Sequence, residues 1–271
     1  MVTRPAADAA SWMRALREQG WAAQALPLLE IGEPQTDAAL RELSNARTHW
    51  AQWDALMFVS GAAVAHFFAA GVAPAPGPTT TRFWAPGPGT ARALLGHLRS
   101  LGIAEDRLDA PPDDAVQFDS EALWPVVRAQ LGPGKKVLVV RGLSAPLEGV
   151  GEPEAKGGTG RQWLIEQCES LGADVNACAA YERRAPLWTA DTLAQARGAA
   201  TPGSVWLLSS SEALVHLLDA LPGQSWAHAA ALATHPRIAE VAREAGFGAV
   251  HCCRPALPDV LRALESHWSL S

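Results

Sequence analysis

Two serines in matching surroundings, Ser60 and Ser210, stand 150 positions apart in the sequence. Each follows a short apolar run that suits a strand buried on both faces, and each precedes apolar residues spaced three and four apart, as in an amphipathic helix. A serine between a strand and a helix can cap the helix. Its hydroxyl and the free amides of the first helical turn can then bind a carboxylate or a phosphate. The duplication predicts two anion-binding turns, each at the carboxyl end of a parallel strand.

A second pair of turns, Gly87-Pro88-Gly89-Thr90 and Thr234-His235, also occupies matching places in the two copies. The glycine-rich turn lacks the third glycine of a dinucleotide-binding fingerprint, which favours a tight turn that presents backbone amides. His235 is either a plain turn residue or a proton carrier. Both turns are therefore candidates for holding an anion beside the serine turns.

Two arginines and one tyrosine complete the set of residues that could act on an anionic substrate. Arg4 and Arg141 follow apolar residues in Val2-Thr3-Arg4-Pro5 and Val139-Val140-Arg141-Gly142. We expect them to end matching strands, where a guanidinium can pair with carboxylates, and a solvated strand-end charge is the alternative. Tyr181 is the only tyrosine of the chain. Its phenol can donate a hydrogen bond or a proton to a departing hydroxyl, and half-buried packing is the alternative.

Composition narrows the class of protein. The 271 residues are 48% hydrophobic and 18% charged, a balance typical of a globular protein, and the formal net charge of −6 argues against a broad nucleic-acid-binding surface. The most apolar stretch, 55–73, contains Ser60 and His66 and predicts a buried strand and helix rather than a membrane span. The four cysteines lack C-x-x-C spacing, which predicts reduced thiols in a cytoplasmic protein and no metal site.

Strand and helix patterns alternate along the chain, which predicts parallel sheets flanked by helices. We expect a strand over 24–31, strands that end at Arg141 and Tyr181, and a helix over 120–131 that Ser120 caps and Pro125 kinks. The glycine-rich, charged stretch over 148–161 predicts a mobile loop, inserted in the second copy only.

Taken together, these blocks resemble the uroporphyrinogen-III synthase family, and they follow the family's order over nearly the whole chain. The matching pieces are Val2-Thr3-Arg4-Pro5, Phe58-Val59-Ser60-Gly61-Ala62-Ala63-Val64, Gly87-Pro88-Gly89-Thr90-Ala91, Val139-Val140-Arg141-Gly142, Tyr181-Glu182-Arg183, Leu208-Ser209-Ser210-Ser211-Glu212-Ala213 and Thr234-His235-Pro236-Arg237. The resemblance implies an α/β fold of two flavodoxin-like parallel-sheet domains joined by a two-stranded β-ladder linker. Domain 1 would comprise 1–31 with 187–271, domain 2 would be a circularly permuted copy over 36–181, and the linkers would be 32–35 and 182–186.

The same resemblance implies an enzyme that cyclises hydroxymethylbilane, a linear tetrapyrrole with eight carboxylates, to uroporphyrinogen III in heme biosynthesis. Ring D is inverted, the terminal hydroxyl leaves as water, and no metal or organic cofactor is needed. Tyr181 would assist loss of the hydroxyl. The expected substrate-binding residues are Arg4, Ser60, Gly61, Ala62, Gly87, Gly89, Thr90, Arg141, Ser210, Ser211, Thr234 and His235. The protein would be a cytoplasmic monomer without nucleic-acid or membrane partners, and its substrate could be handed over from hydroxymethylbilane synthase.

A different class of function fits the same fold. A catalytically silent two-lobed module could bind an anion or a tetrapyrrole without converting it. The presence of Tyr181 together with both serine turns favours the synthase, and an assay on hydroxymethylbilane separates the two readings.

Overall fold

A computed structural model of the chain describes residues 1–69, 71–75, 77–112, 119–144 and 159–268. The chain divides into two compact units, one formed by Met1–Ile31 with Arg184–Ser271 and the other by Gly32–Arg183. Each unit contains a parallel sheet with helices, so the predicted α/β fold class is confirmed. Within the part of the chain that the structure describes, no helix is both long enough and apolar enough to cross a membrane.

The described helices and strands alternate in chain order. The helices are α1 (Ala6–Glu18), α2 (Asp37–Thr48), α3 (Gly61–Phe68), α4 (Pro88–Ser100), α5 (Ser120–Val127), α6 (Thr159–Ser170), α7 (Ala190–Gly198), α8 (Ser211–Ala220), α9 (Pro236–Glu244) and α10 (Leu257–His267). The strands are β1 (Glu30–Gly32), β2 (Ala55–Phe58), β3 (Arg82–Trp84), β4 (Leu108–Asp109), β5 (Lys136–Ser144), β6 (Asp174–Arg184), β7 (Val205–Leu208), β8 (Ala230–Ala233) and β9 (Ala249–Cys252).

The sheet of the first unit is built on β7, β8 and β9, which are parallel and hydrogen-bonded in that order. Val2 extends it, because it forms parallel bridges with Leu207 of β7 and with Ala25 on its other side. Numbered along the chain, the five segments have the order 2-1-3-4-5, which is the flavodoxin-like order.

The predicted strand over 24–31 is wrong as a single element. Ala25 pairs with Val2 in the first unit, whereas Glu30–Gly32 forms β1, which lies next to β6 in the other sheet. Pro27 fits between them because the amides of Leu26 and Leu28 donate to the carbonyls of Val2 and Thr3, so the residue without an N–H occupies the alternate position.

The six-stranded sheet, most of which belongs to the second unit, has the order β1-β6-β5-β2-β3-β4. The five strands from β6 to β4 are parallel to one another. If β5 and β6 are numbered before β2, these five strands have the order 2-1-3-4-5, as in the first unit. The two sheets therefore have the same spatial order of strands, but the chain begins each of them at a different strand. Beside β6, the β1 segment contributes an ion pair, with Arg184 Nε 3.0 Å from Glu30 Oε2.

Strands β5 and β6 are longer than predicted, so Arg141 and Tyr181 do not end their strands. The pairing runs from Lys136↔Asp174 to Ser144↔Arg183. Neighbouring β2 ends opposite Val140, and beyond that point β5 and β6 satisfy each other's backbone groups. Arg141 and Tyr181 therefore stand where the sheet narrows.

The helix predicted over 120–131 begins and ends differently. Asp119, not Ser120, is its N-cap, since the Asp119 carboxylate accepts a hydrogen bond from the Ala122 amide at 2.9 Å. The α-helix contains Pro125 and ends at Val127, and a 3₁₀ turn, Arg128–Gln130, follows it. Helix α6 begins at Thr159, and the rest of the predicted loop over 148–161 lies outside the described residues.

Aromatic packing fixes the strands that lead to both serine turns. In the first unit, Trp206 of β7 packs edge-on against Trp226, with ring centroids 5.3 Å apart. In the second, Phe58 at the end of β2 contacts Phe67 and Phe68 of α3, with ring centroids 5.4 and 5.8 Å away. The turn between β2 and α3 consists of Val59 and Ser60.

Candidate functional site

Tyr181 is the centre of the candidate site in the second unit. Its side chain is buried, with 7% of the residue exposed, although it carries a hydroxyl. That hydroxyl lies 3.4 Å from Oγ of Ser60, and the Tyr181 ring centroid lies 5.5 Å from that of His66. Gly142 is the residue paired with Tyr181 across β5 and β6. Three residues, two from the β2–α3 turn and helix and one from β5, thus surround the phenol of Tyr181.

Ser60 caps α3, as the sequence predicts. Its backbone is extended and its Oγ accepts a hydrogen bond from the Ala63 amide at 3.1 Å. Because the oxygen is used as an acceptor, the Ser60 hydroxyl proton is available to the Tyr181 oxygen. Tyr181 can then keep its own proton for another acceptor. Gly61 and Ala62, both half-buried, are the first two residues of the helix.

His66 lies on the second turn of α3 and was not among the predicted site residues. Partial burial lowers the pKa of His66, the charge of Glu33 opposes that shift, and the charge of Arg47 adds to it. The imidazole is therefore neutral at pH 7. Arg47 Nε also donates to the Phe67 carbonyl at 2.8 Å, and its Nη2 donates to the His66 carbonyl. Arg47 thereby holds the end of the helix that carries Ser60 and His66.

The matching histidine of the first unit, His216, has a different surrounding. It is buried, and its Nδ1 lies 3.0 Å from the carbonyl oxygen of Leu28, so Nδ1 carries the proton. The two repeated histidines thus diverge: His216 joins helix α8 to a neighbouring segment, and His66 faces a phenol. The repeat in the sequence was a signal that could have drawn attention to His66.

The glycine-rich turn is the start of a helix rather than a separate turn. Gly87 is the N-cap of α4, Pro88 is its first residue, and Gly89 and Thr90 complete the first turn. Pro88 has no amide proton, whereas the amides of Gly89 and Thr90 have no acceptor within the helix. The predicted presentation of amides agrees with this geometry. Thr90 is buried, and Gly89 is exposed.

Arg141 is half-buried within β5, next to Gly142. It pairs in register with Ala179 of β6 and lies one residue beyond Val140, which faces the end of β2. The carboxyl end of β2, which leads into the turn of Val59 and Ser60, thus lies at the same edge of the sheet as Arg141.

The first unit brings its two predicted turns together. Ser210 caps α8, its Oγ accepting from the Ala213 amide at 3.3 Å, and Ser211 opens the helix. His235 caps α9, its Nδ1 accepting from the Arg237 amide at 3.2 Å, which leaves the proton on Nε2. The Thr234 amide donates to the Leu208 carbonyl at 3.0 Å. Because β7 and β8 are parallel neighbours, both turns lie at one edge of the sheet.

Arg4 lies at the same edge, one residue after buried Thr3, whose Oγ1 donates to the Leu207 carbonyl at 2.6 Å. Its guanidinium carbon lies 4.4 Å from the centroid of the Trp12 ring, and Nη2 lies 3.9 Å from Asp8 Oδ2. These two partners on α1 follow Arg4 at spacings of eight and four, a pattern the sequence contained. They hold the guanidinium against the helix and leave Arg4 Nε, which is buried, without a hydrogen bond among the described residues.

The four cysteines are free thiols. Cys168 and Cys178 are buried, and burial raises the pKa of each to about 12, so neither is a reactive thiolate at neutral pH. In the ranges covered by the structure, no cluster of three or more His, Cys, Asp or Glu side chains is placed to hold a metal ion.

The fold and these turns define a class: an α/β protein of two flavodoxin-like sheets, each with hydroxyl and amide donors at the carboxyl ends of parallel strands. The sequence also matches the family model described as uroporphyrinogen-III synthase HemD over residues 10–261. The chain therefore belongs to the uroporphyrinogen-III synthase family, whose members are lyases of porphyrin and heme biosynthesis.

Solved structures agree on the fold. A mutant uroporphyrinogen III synthase from the extremely thermophilic bacterium Thermus thermophilus is 16% identical, with a TM-score of 0.50 over 98% of this chain and 96% of the other. A uroporphyrinogen-III synthetase from Helicobacter pylori 26695 is also 16% identical, with a TM-score of 0.55 over 90% of this chain and 93% of the other. At this identity the likeness concerns the fold alone.

Proposed function

We propose that this protein cyclises hydroxymethylbilane to uroporphyrinogen III, with inversion of ring D and loss of water. The observation that carries the proposal is the placement of Tyr181: a buried phenol, 3.4 Å from the Ser60 hydroxyl, in a chain of the uroporphyrinogen-III synthase family. A buried phenol with a donor behind it suits the loss of a hydroxyl from a bound substrate.

In the proposed reaction, the bond from the terminal methylene carbon to its hydroxyl breaks first. The hydroxyl takes a proton and leaves as water, and an azafulvene cation remains. Tyr181 donates a hydrogen bond or proton to the departing oxygen while the Ser60 hydroxyl donates to the Tyr181 oxygen. The substituted carbon of ring D bonds to the cationic methylene carbon and gives a spiro intermediate. The bond from that ring D carbon to the methylene bridge of ring C then breaks, which leaves an azafulvene cation on ring C. The free α-carbon of ring D bonds to this second cation, so that the macrocycle closes with ring D inverted. The final loss of a ring proton balances the proton used to form water.

Substrate binding is assigned to groups that complement carboxylates. In the first unit these are Arg4 and the turns of Ser210-Ser211 and Thr234-His235, which share one edge of the sheet. In the second they are Arg141 and the helix starts at Ser60-Gly61-Ala62 and Gly87–Thr90. With a net charge of −6, the chain depends on such local donors rather than on its overall field. Because the cation forms readily, holding the bilane folded for the correct closure contributes more than proton donation.

We also propose where the enzyme works, in which oligomeric state, and how it obtains its substrate. It acts as a cytoplasmic monomer without a metal or an organic cofactor and receives its substrate from hydroxymethylbilane synthase. Its domains are 1–31 with 187–271 and 36–181, and the segments 32–35 and 182–186 are the linkers.

One assay tests the activity. Freshly made hydroxymethylbilane is supplied to the protein, the products are oxidised, and the type I and type III isomers are separated. The reaction without protein gives the spontaneous isomer ratio, and a sample with chelator tests independence from metal. We expect isomer III to dominate in both protein samples. A product no richer in isomer III than the spontaneous one would indicate the binding module instead.

A further inference from the structure

The pairing of β5 with β6 is irregular where Tyr181 stands. Arg141 pairs with Ala179, but the next pair is Gly142 with Tyr181, so Ala180 is an extra residue in β6. Such an irregularity changes which face of the strand the following side chain occupies. Tyr181 therefore points to the face of the sheet on which a side chain at position 142 would lie. Its ring lies across β5 at Gly142.

Gly142 has the space of its missing side chain filled by that ring. A Cβ built on Gly142 would lie far inside van der Waals distance of Tyr181 Cε2 and Cζ, and 2.8 Å from the hydroxyl oxygen. These three Tyr181 atoms are the nearest to that position. The φ angle of Gly142 is not in the positive range, so its backbone conformation is open to alanine. The requirement for glycine here is one of space.

The two copies in the sequence differ together at these positions. Pro5 corresponds to Gly142 by the spacing that aligns Arg4 with Arg141, and Leu29 corresponds to Tyr181 by the spacing that aligns Gly20 with Gly172. The copy without the tyrosine has a side chain where the copy with the tyrosine has glycine.

We infer that Gly142 is a positioning residue: its lack of a side chain lets the Tyr181 ring lie across β5 with its hydroxyl at Ser60. The inference rests on the proposed function for its effect on turnover, but not for its effect on the ring. His66 of α3 and its N-cap Ser60 lie against the phenol, so a methyl group on Gly142 forces the ring to move against them.

A single tyrosine makes the position of the ring measurable. Protein labelled with 3-fluorotyrosine gives one fluorine resonance, which reports on Tyr181 alone. Gly142→Ala is compared with the parent and with Gly96→Ala, which adds the same methyl group in α4 where a Cβ meets no described atom within 4 Å. We expect the resonance to move in Gly142→Ala and to stay in place in Gly96→Ala.

Stability supplies a second measurement that does not need activity. Gly142→Ala should lower Tm by roughly 2–10 °C in the parent, because it overpacks a filled space. In the Tyr181→Leu background the cost should largely vanish, since leucine ends short of Cε2 and Cζ. If Gly142→Ala alone does not fold, recovery of folding in the double variant gives the same answer. An equal cost in both backgrounds, or failure of the double variant to fold while Tyr181→Leu folds, would overturn the inference.

Turnover links the ring position to the proposed reaction. In Gly142→Ala, kcat should fall roughly 10- to 100-fold with KM little changed. The same substitution in the Tyr181→Phe background should change kcat by less than about threefold, because the hydroxyl is already absent. An unmoved fluorine resonance with full turnover would defeat the inference and leave the proposed function intact. A parent protein that makes no excess of isomer III would defeat the proposed function. The fluorine and stability measurements would still test whether Gly142 sets the position of the Tyr181 ring.

Discussion

The hydroxyl of Tyr181 lies 3.4 Å from Oγ of Ser60, a residue 121 positions earlier in the chain. Ser60 also accepts the hydrogen bond from the Ala63 amide, so one serine both caps α3 and contacts the phenol. The turn that begins the helix and the proposed proton donor are therefore joined at one oxygen atom.

Tyr181→Phe removes the phenolic hydroxyl and keeps the ring. We expect the rate of cyclisation to fall roughly 10- to 1,000-fold, near the lower end for a general acid because the cation forms readily. KM should change little, and the remaining product should still be mostly isomer III, since the other residues fold the bilane. Single-turnover kinetics with isomer separation measures both. A rate within about twofold of the parent would remove the hydroxyl from the reaction.

Ser60→Ala and Ser210→Ala form a matched pair, since each serine caps a helix through its side-chain oxygen. Each substitution should cost about 1 kcal/mol of stability. Only Ser60 contacts Tyr181, so Ser60→Ala should lower kcat, whereas Ser210→Ala should raise KM modestly with less effect on kcat. Urea unfolding and steady-state kinetics on both variants check this, and equal losses of kcat would show that the contact with Tyr181 is immaterial.

Much of the fold follows from local sequence. The alternation of apolar strands with amphipathic helices predicts the parallel sheets, and both serine caps are confirmed because capping needs only a serine, a turn and an apolar helix. The error at Ser120 has the same origin: the adjacent Asp119 offers a carboxylate, a comparable acceptor, one position earlier.

The parts that could not be predicted depend on contacts between distant segments. The length of β5 past Arg141 is set by pairing with β6, and the orientation of Tyr181 is set by the extra residue Ala180, which no local pattern marks. The strand predicted over 24–31 was wrong because its two ends pair in different sheets. The association of His66 with Tyr181 needed that pairing as well.

His66 should make stability depend on pH. Burial lowers the pKa of His66 below its ordinary value of 6.5, so the unfolded chain binds its proton more readily. The contribution of the neutral His66 side chain to folding stability is fully present above pH 6.5. It is lost as the pH falls through the lower pKa of the folded state. Glu33, which opposes the shift, and Arg47, which adds to it, are the charges beside it. His66→Phe keeps a ring against Tyr181 and should be less destabilised than the parent between pH 7.5 and 5.5. Urea unfolding at both pH values measures this, and an equal loss of unfolding free energy in both proteins would contradict it.

Arg47 should be important for the helix that carries Ser60 and His66. Its side chain is 14% exposed and donates to the carbonyls of Phe67 and His66 at the end of α3. Arg47→Met leaves these acceptors without the charged donor, which should cost about 1.5–3 kcal/mol. Arg47→Lys keeps a positive charge near the helix C-terminus but loses the planar pair of donors, so an intermediate cost is expected.

The control for Arg47 is Arg41→Met, which removes the same charge from an exposed position on the same helix, α2. It should change stability by no more than about 0.5 kcal/mol. Hydrogen exchange locates the effect, since amides of α3 should exchange faster in Arg47→Met and not in Arg41→Met. Because α3 carries both the cap and the imidazole that bound Tyr181, faster exchange in α3 should accompany a lower kcat. Unchanged exchange in α3 with the full loss of stability would place the role of Arg47 elsewhere, in its ion pair with Glu33.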